Sequence, residues 1–179
     1  VVYTFSRAKG EDAGTYTIAP SGDASQGNYA VTYKEGTLTI TRAAAKDNAV
    51  TAVPYSGTYD ADAHTITTSA AQSGSTLYYS KVGGADAADW TTTVPAWKDV
   101  TAAQTVYVKA TNPNYEDSTG SATVTITQKP VTVSANNKTK VYGAADPAFD
   151  AAVAGTLGTD KVVYTFSRAK GEDAGTYTI

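Results

Sequence analysis

The sequence predicts an all-β chain, a linear array of small β-sandwich or β-grasp-like domains, and three observations predict it. Val1–Ile18 and Val162–Ile179 carry the same eighteen residues, VVYTFSRAKGEDAGTYTI, so the chain spans slightly more than one 161-residue unit of a tandem repeat. Thr, Val and Tyr are abundant, with 13 Tyr against 3 Phe, and these residues suit a pleated, half-buried surface. Short alternating runs of polar and apolar residues recur between turns rich in Gly, Asn, Asp and Pro, the pattern of a sandwich or barrel.

Alternation places strands at Val1–Phe5, Thr15–Ile18, Tyr29–Tyr33, Thr37–Thr41, His64–Thr68, Thr76–Ser80, Thr105–Lys109, Ala122–Thr127 and Val131–Ser134. Ser21-Gly22-Asp23, Glu35-Gly36, Gly83-Gly84 and Asn112-Pro113-Asn114 supply the turns. The Ala-rich stretches Arg42–Lys46 and Ala144–Ala154 hold a turn of helix at most. Two closing hairpins are alike: each begins Asn-Tyr (Asn28-Tyr29 and Asn114-Tyr115), turns at Gly36 or Gly120, and ends on a T-[LV]-T-I-T strand. They are expected to close two domains.

Boundaries then fall near Arg42 and Gln128. Residues 42–128 form a complete domain B, residues 1–41 the C-terminal part of a domain A, and residues 129–179 the N-terminal part of the next A. Joined through the shared segment, Lys129–Lys161 followed by Val1–Thr41 makes an A module of about 74 residues, and the array runs A–B–A–B. The joints Thr41–Lys46 and Thr127–Pro130 are short, lack the Gly/Ser composition of a tether, and include Pro130, whose ring fixes a backbone angle. A semi-rigid rod follows, with roughly 70 Å per two-domain unit if each domain holds one strand of ~10 residues at ~3.3 Å each.

Lys129-Pro130-Val131-Thr132-Val133, Lys138-Thr139-Lys140-Val141-Tyr142-Gly143 and Asp146-Pro147, continued by Gly10–Ile18, Gly27-Asn28-Tyr29 and Gly36-Thr37-Leu38, form a pattern in which the A module resembles MBG domains of the YGX type. It implies a place in a large bacterial surface protein and brings no catalytic residues. B is similar in style to bacterial immunoglobulin-like repeats, through Tyr55–Asp60 and Trp90. Within these motifs Gly143, Gly14 and Gly36 are expected to take turn conformations, and Tyr16, Tyr29 and Tyr142 to bury a ring with the hydroxyl at a polar edge. Trp90 and Trp97 are expected as core or rim anchors of B.

Composition narrows the function. A net charge of −3 gives no basic stripe for nucleic acid and no polybasic attraction to lipid, and no apolar run reaches the ~20 residues of a membrane helix. With no Cys there is neither a disulfide framework nor a thiolate site. In an array of near-identical repeats this precludes shuffling between copies and fits an extracellular setting. His64 stands alone, and the Glu11-Asp12 pair (Glu172-Asp173 in the second copy) sits in a Gly-flanked turn, so no catalytic group and no cofactor is expected. Asp60-Ala61-Asp62 and Asp86…Asp89 offer oxygens but not the spacing of a calcium loop.

Two sharper candidates remain. Lys138 or Lys140 with Asn28, assisted by Glu35 or Asp12, could form an isopeptide cross-link within A. Tyr78-Tyr79 could stack on a sugar, although consecutive strand residues face opposite ways. The expected function is that of a structural repeat unit: a semi-rigid spacer in a bacterial surface stalk, adhesin or fibre, partnered head to tail by its own neighbours. The alternatives are a host glycan- or mucin-binding module and a strand-exchanging filament subunit.

Overall fold

A computed structural model describes residues 1–84 and 87–179. The described chain is all-β, with two single 3-10 turns at Ala45–Asn48 and Ala87–Asp89, and no helix in it is long and apolar enough to cross a membrane. Every sheet lies inside one of three segments.

In the first segment β1 (Thr4–Arg7), β2 (Gly14–Ser21) and β5 (Gly36–Ile40) form an antiparallel sheet with β2 at its centre, and β3 (Ser25–Gln26) and β4 (Tyr29–Ala30) form a small hairpin. The alternation of Thr and apolar residues in Thr15–Ile18 matches that of Thr37–Ile40, and the ladder joins Gly14 to Ile40 and Ile18 to Gly36. Pro20 is tolerated in β2 because it lies past the end of β5, where its missing N–H breaks no ladder bond on that side.

The second segment holds the buried core. β6 (Val50–Val53) pairs with β8 (Thr67–Ala70), and β7 (Tyr55–Thr58), β11 (Tyr115–Thr127), β10 (Thr101–Asn112) and β9 (Thr76–Ser80) form a four-stranded sheet in that order. Pro54 separates β6 from β7, and there the chain leaves one sheet for the other, where β7 runs parallel to β11. The inward side chains of β10 and β11, Val106, Val108, Val124 and Ile126, are fully buried with Ile66 and packed against Val50, Leu77, Tyr79 and Trp97. A buried polar knot ties the domain's start to its longest hairpin: Asn48 Oδ1 accepts from Ser75 Oγ at 2.8 Å, and Ser118 Oγ donates to the Asn48 carbonyl at 2.6 Å.

In the third segment β12 (Thr132–Ala135) pairs with β13 (Ala151–Ala154), and residues 162–179, all described, form no strand.

Several sequence expectations need correction. Ala151–Ala154 is a strand, because Thr132–Ala135 offers it a complete antiparallel edge. Gly120 is not a turn but the middle of β11; a Cβ there would stand 3.3 Å from Val50 Cγ1, so Gly lets β6 lie close across the sheet. Gly14 and Gly36 begin strands, whereas Gly143 is left-handed as expected (φ 79°), and Gly27 (φ 62°) and Gly10 (φ 138°) are among the other glycines with positive φ. The His64–Thr68 strand begins only at Thr67, and His64 itself bridges to Trp97. Tyr29 and Tyr142, expected to bury their rings, are instead 68% and 73% exposed.

Since Ile126 is enclosed on all sides, Ile126→Ala is expected to lower stability by about 2–5 kcal/mol in urea unfolding followed by Trp fluorescence. Val163→Ala, at a residue 98% exposed, is expected to leave it unchanged.

Candidate functional site

The densest set of contacts between segments lies where the first A segment meets B. The β10–β11 hairpin turns at Asn112-Pro113-Asn114, close to Arg42 and Ala43. Ala43 N–H donates to the Asn114 carbonyl and Glu116 N–H to the Ala43 carbonyl, both at 2.8 Å. Arg42 Nε donates to the Tyr115 carbonyl at 2.7 Å, and its Nη2 to Asp117 Oδ1 at 3.0 Å. From the A side, Ala13 N–H donates to Asn114 Oδ1, and Asn114 Nδ2 donates to Asp12 Oδ1, each at 2.7 Å. Asn114 thus uses its side chain on A and its main chain on the linker. Two hydrogen bonds to the Asn114 side chain thus join the first segment to B, and the Arg42 and Ala43 bonds hold the following residues on B's own hairpin.

A second cluster occupies the third segment. Lys140 Nζ lies 2.7 Å from Asp146 and 2.6 Å from Glu172, and Arg168 lies 2.8 Å from Asp146 and 2.6 Å from Glu172. Two cations alternate with two anions, joining the front of A (Lys140, Asp146) to the repeated eighteen residues (Arg168, Glu172). The hydrogen bonds from Lys140, then from Arg168, hold the carboxyls of Asp146 and Glu172 below their usual range. Hydrogen bonds to Asp146 and then Glu172 raise the Lys140 and Arg168 values. Beside this cluster a groove of about 670 Å³ runs between Asn136–Lys140 and Asp173–Ile179.

The candidate cross-link residues are placed as follows. Lys138 Nζ lies 2.7 Å from Asp150, whose carboxyl is held low chiefly by that hydrogen bond and then by Asn136. Lys140 belongs to the four-charge cluster, and Asn28 sits in the β3–β4 turn of the other A segment. Both amines face carboxylates.

Tyr78 and Tyr79 occupy opposite faces of β9. Tyr79 packs on the core, with its hydroxyl 2.8 Å from Thr68 Oγ1, whereas Tyr78 lies on the outer face 5.8 Å from Lys109 Nζ. Lys109 also sits 4.7 Å from the Trp90 ring centroid, and Trp90 Nε1 donates to the Gly84 carbonyl at 3.0 Å. Trp90, Tyr107, Gly83 and Thr119 border an open depression of about 440 Å³ on this face. Trp97 is the core anchor of the two tryptophans, and Trp90 lies on the outer face.

His64 is half-buried, stacked on Tyr55 at 4.0 Å and within 2.8 Å of Asp60 Oδ1. The bond to His64, then that from Asp62 N–H, lowers the Asp60 value, while burial, then Asp60 and Asp62, raise that of Tyr55. Asp60 Oδ1 is therefore engaged by protein groups. Among the described residues no three metal-ligating side chains gather, and Asp86 lies outside them.

The sequence marks Arg42 only as a boundary and Asn114 only as a turn residue, and it singles out neither these nor Arg168 as contact residues. The signals for them are the i,i+4 spacing of Arg168 and Glu172, and the adjacency of an Asn-Pro-Asn turn to an Arg at the joint.

The chain is thus a repeat-type all-β protein whose distinctive contacts lie between segments. Residues 1–39 and 131–179 match the family model of the MBG domain (YGX type). Comparison with curated proteins and with solved structures found no match.

Two predictions follow from this geometry. Asn114→Ala is expected to let the first A segment and B reorient independently, so that residual dipolar couplings of the two fit different alignment tensors, with B's melting midpoint unchanged. The carboxyls of Asp146 and Glu172 are lowered, so the cluster stabilises the fold above their ordinary values of 3.8 and 4.5 and loses that contribution as pH falls through the lower native values. Carboxyl carbon titration should place both midpoints below the ordinary values, and Lys140→Met should raise them.

Proposed function

We propose that the chain is a structural repeat unit of a bacterial cell-surface stalk, adhesin or extracellular fibre, acting as a semi-rigid spacer between neighbouring copies of itself. The reading rests on one asymmetry. B encloses its own core, whereas most of the exposed large apolar residues belong to the two A segments: Val1, Val2, Tyr3, Phe5 and Tyr29 in one, Val141, Tyr142, Val163 and Tyr164 among those in the other. Each A segment holds what the other lacks, so a complete A spans one repeat boundary. The topology of B, with its first strand split between two sheets and one half parallel to the last strand, supports an immunoglobulin-like sandwich alternating with A.

The Asn114 and Arg42 contacts support stiffness at the A–B joint. The absence of Cys and the MBG match at both ends support an extracellular setting. A long array gains reach from such joints, and unlike neighbours misfold into one another less readily than identical ones.

A second reading is favoured by the outer face of B. Trp90, Tyr107 and Tyr78 border or flank a shallow depression with hydroxyls from Thr119 and Ser121, a surface chemistry that suits a saccharide.

Electron microscopy of material with several repeats tests the main reading. Straight fibres with an axial repeat of roughly 70 Å per A–B pair are expected; beads hinged freely at every joint would overturn it. Saccharide-array binding abolished by Trp90→Ala would bring the second reading forward.

A further inference from the structure

One edge inside B has no partner strand. β8 pairs only with β6, in a two-stranded sheet that joins Val50 to Ala70 and Val53 to Thr67. Ala71 N–H donates to the Ala49 carbonyl, and bonded and non-bonded pairs alternate along an antiparallel ladder. Thr67 and Ser69 therefore bond to β6, while Thr68 and Ala70 turn their N–H and C=O groups to the other side. His64, an even number of residues away, behaves the same way: its N–H and carbonyl face outward and bond to Trp97, at 2.8 and 3.0 Å. That outer ladder stops at once. Continued by register, it would set Pro95 opposite Ile66, and Pro95 has no N–H, while its carbonyl already accepts from Thr65 Oγ1 at 2.7 Å. The chain there comes across from β9, where Thr91 bridges to Tyr79. Among the described residues no backbone group bonds to the outward groups of Thr68 and Ala70.

Exposed edges are ordinarily guarded by charge, proline or a cover. β9 has Thr91 over its edge, and β6 and β7 meet at Pro54, with Asp60 just beyond β7. β8 has no such guard: Thr65–Ala71 contains no charged residue, no Pro and no Gly. Its side chains are already sorted for a wider sheet. Thr68 turns inward, its hydroxyl 2.8 Å from that of Tyr79, while Thr67 and Ser69 stand exposed on the outer face. An uncharged strand fits this edge, and the same strip on a second copy is one. With a two-fold axis at Ser69, Thr68 of each copy lies against Ala70 of the other and each pair exchanges both of its backbone bonds. Thr67 then faces Ala71, Ser69 faces Ser69, and no like charges meet.

We propose that the β8 edge is a docking surface for a second copy of the chain, where B of one chain pairs antiparallel with B of another. The direction of the strands sets what such a contact joins. β11 runs from Tyr115, beside Arg42 at one joint, to Thr127, close to Lys129 at the other. β7 runs parallel to it, and the two sheets of a sandwich keep their strands within about 30° of each other. The strands of B thus lie along the array, and a two-fold contact sets its two arrays antiparallel. In the stalk reading, on which this role rests, the contact joins stalks that reach toward each other from facing surfaces. So short a strip falls well below the ~1,200 Å² of a stable interface, so one contact is weak. Recurring once per repeat, many of them hold together.

The register gives a direct test in a protein without cysteine. Ser69 and Ser69 of the second copy form a non-hydrogen-bonded pair with Cα atoms about 4.5 Å apart, a spacing a disulfide can bridge. The full chain carrying Ser69→Cys, oxidised at high concentration, is expected to accumulate a linked dimer on a non-reducing gel. Thr51→Cys, exposed on the same face but one strand farther in, is expected to stay monomeric under the same oxidant. Adding Ala70→Pro to Ser69→Cys removes an outward N–H and no bond to β6, so the dimer should be lost while B keeps its melting midpoint. If that midpoint falls, Thr67→Lys with Ala71→Lys takes its place, setting like charges against each other on both sides of the axis. A dimer no more abundant for Ser69→Cys than for Thr51→Cys, or one that the blocking substitutions leave intact, would overturn the proposal. Straight rods alongside that result would keep the stalk reading, whereas a Ser69 cross-link in freely hinged material would keep the contact and sink the stalk.

Discussion

A strand's backbone donors and acceptors have no partners within the strand, and that constraint shapes this molecule more than any side chain does. β2 sits between β1 and β5, and each neighbour depends on residues beyond Ile18. Val1–Ile18 contributes to a sheet through those residues, whereas the identical Val162–Ile179 forms no strand. A helix of the same length would satisfy its bonds internally and fold the same way twice.

Against this, the Arg-Ala-Lys-Gly-Glu-Asp-Ala-Gly-Thr-Tyr stretch is stable to its surroundings. Both copies place the Tyr ring over the first Gly, at φ 138° and 140°, and the Arg guanidinium within 5.3 and 5.2 Å of the ring centroid. A side chain at that Gly would strike the ring. The loop is thus a preformed unit that can dock in two directions: its Arg and Glu toward the front of A, and Asp12 and Ala13 toward Asn114 of B. One short loop serves both the interior of A and its joint to B.

How far this was legible follows from the range of the interactions. The long hairpin of B could be found in Thr105–Lys109 and Ala122–Thr127 because alternation is local, although its ends ran several residues beyond those runs. β6 and β7 escaped notice because Pro54 breaks the alternation where the chain changes sheets, and only the parallel pairing with β11 makes Tyr55–Thr58 a strand. Ala151–Ala154 looked helical by composition, since Ala carries no mark of the edge it pairs with. The split of Tyr78 and Tyr79 between faces could be read from strand period alone, whereas the role of Asn114 needed the joint in three dimensions. Gly120 was placed correctly as special and wrongly as a turn, because a Gly required by a crossing strand looks the same in sequence as one required by a left-handed angle.

Identical segments in neighbouring repeats bring a hazard as well as an economy. Any copy of the eighteen residues fits any front half, any residue 19–41 segment and any Asn114 turn, so no contact described here distinguishes one repeat from the next. Correct pairing in an array must then come from proximity, and B supplies it. In the proposed array B would hold Asp12 and Ala13 of one A through Asn114 while its last strand leads into Lys129, and so would keep successive A modules a fixed distance apart. The partner reached first is the one that follows in sequence, and its effective concentration exceeds that of any copy farther along or on another chain. In the proposed array a stiff Asn114 joint would serve folding as well as mechanics: a looser joint would leave the geometry of A and B unaltered and weaken the preference for the correct neighbour.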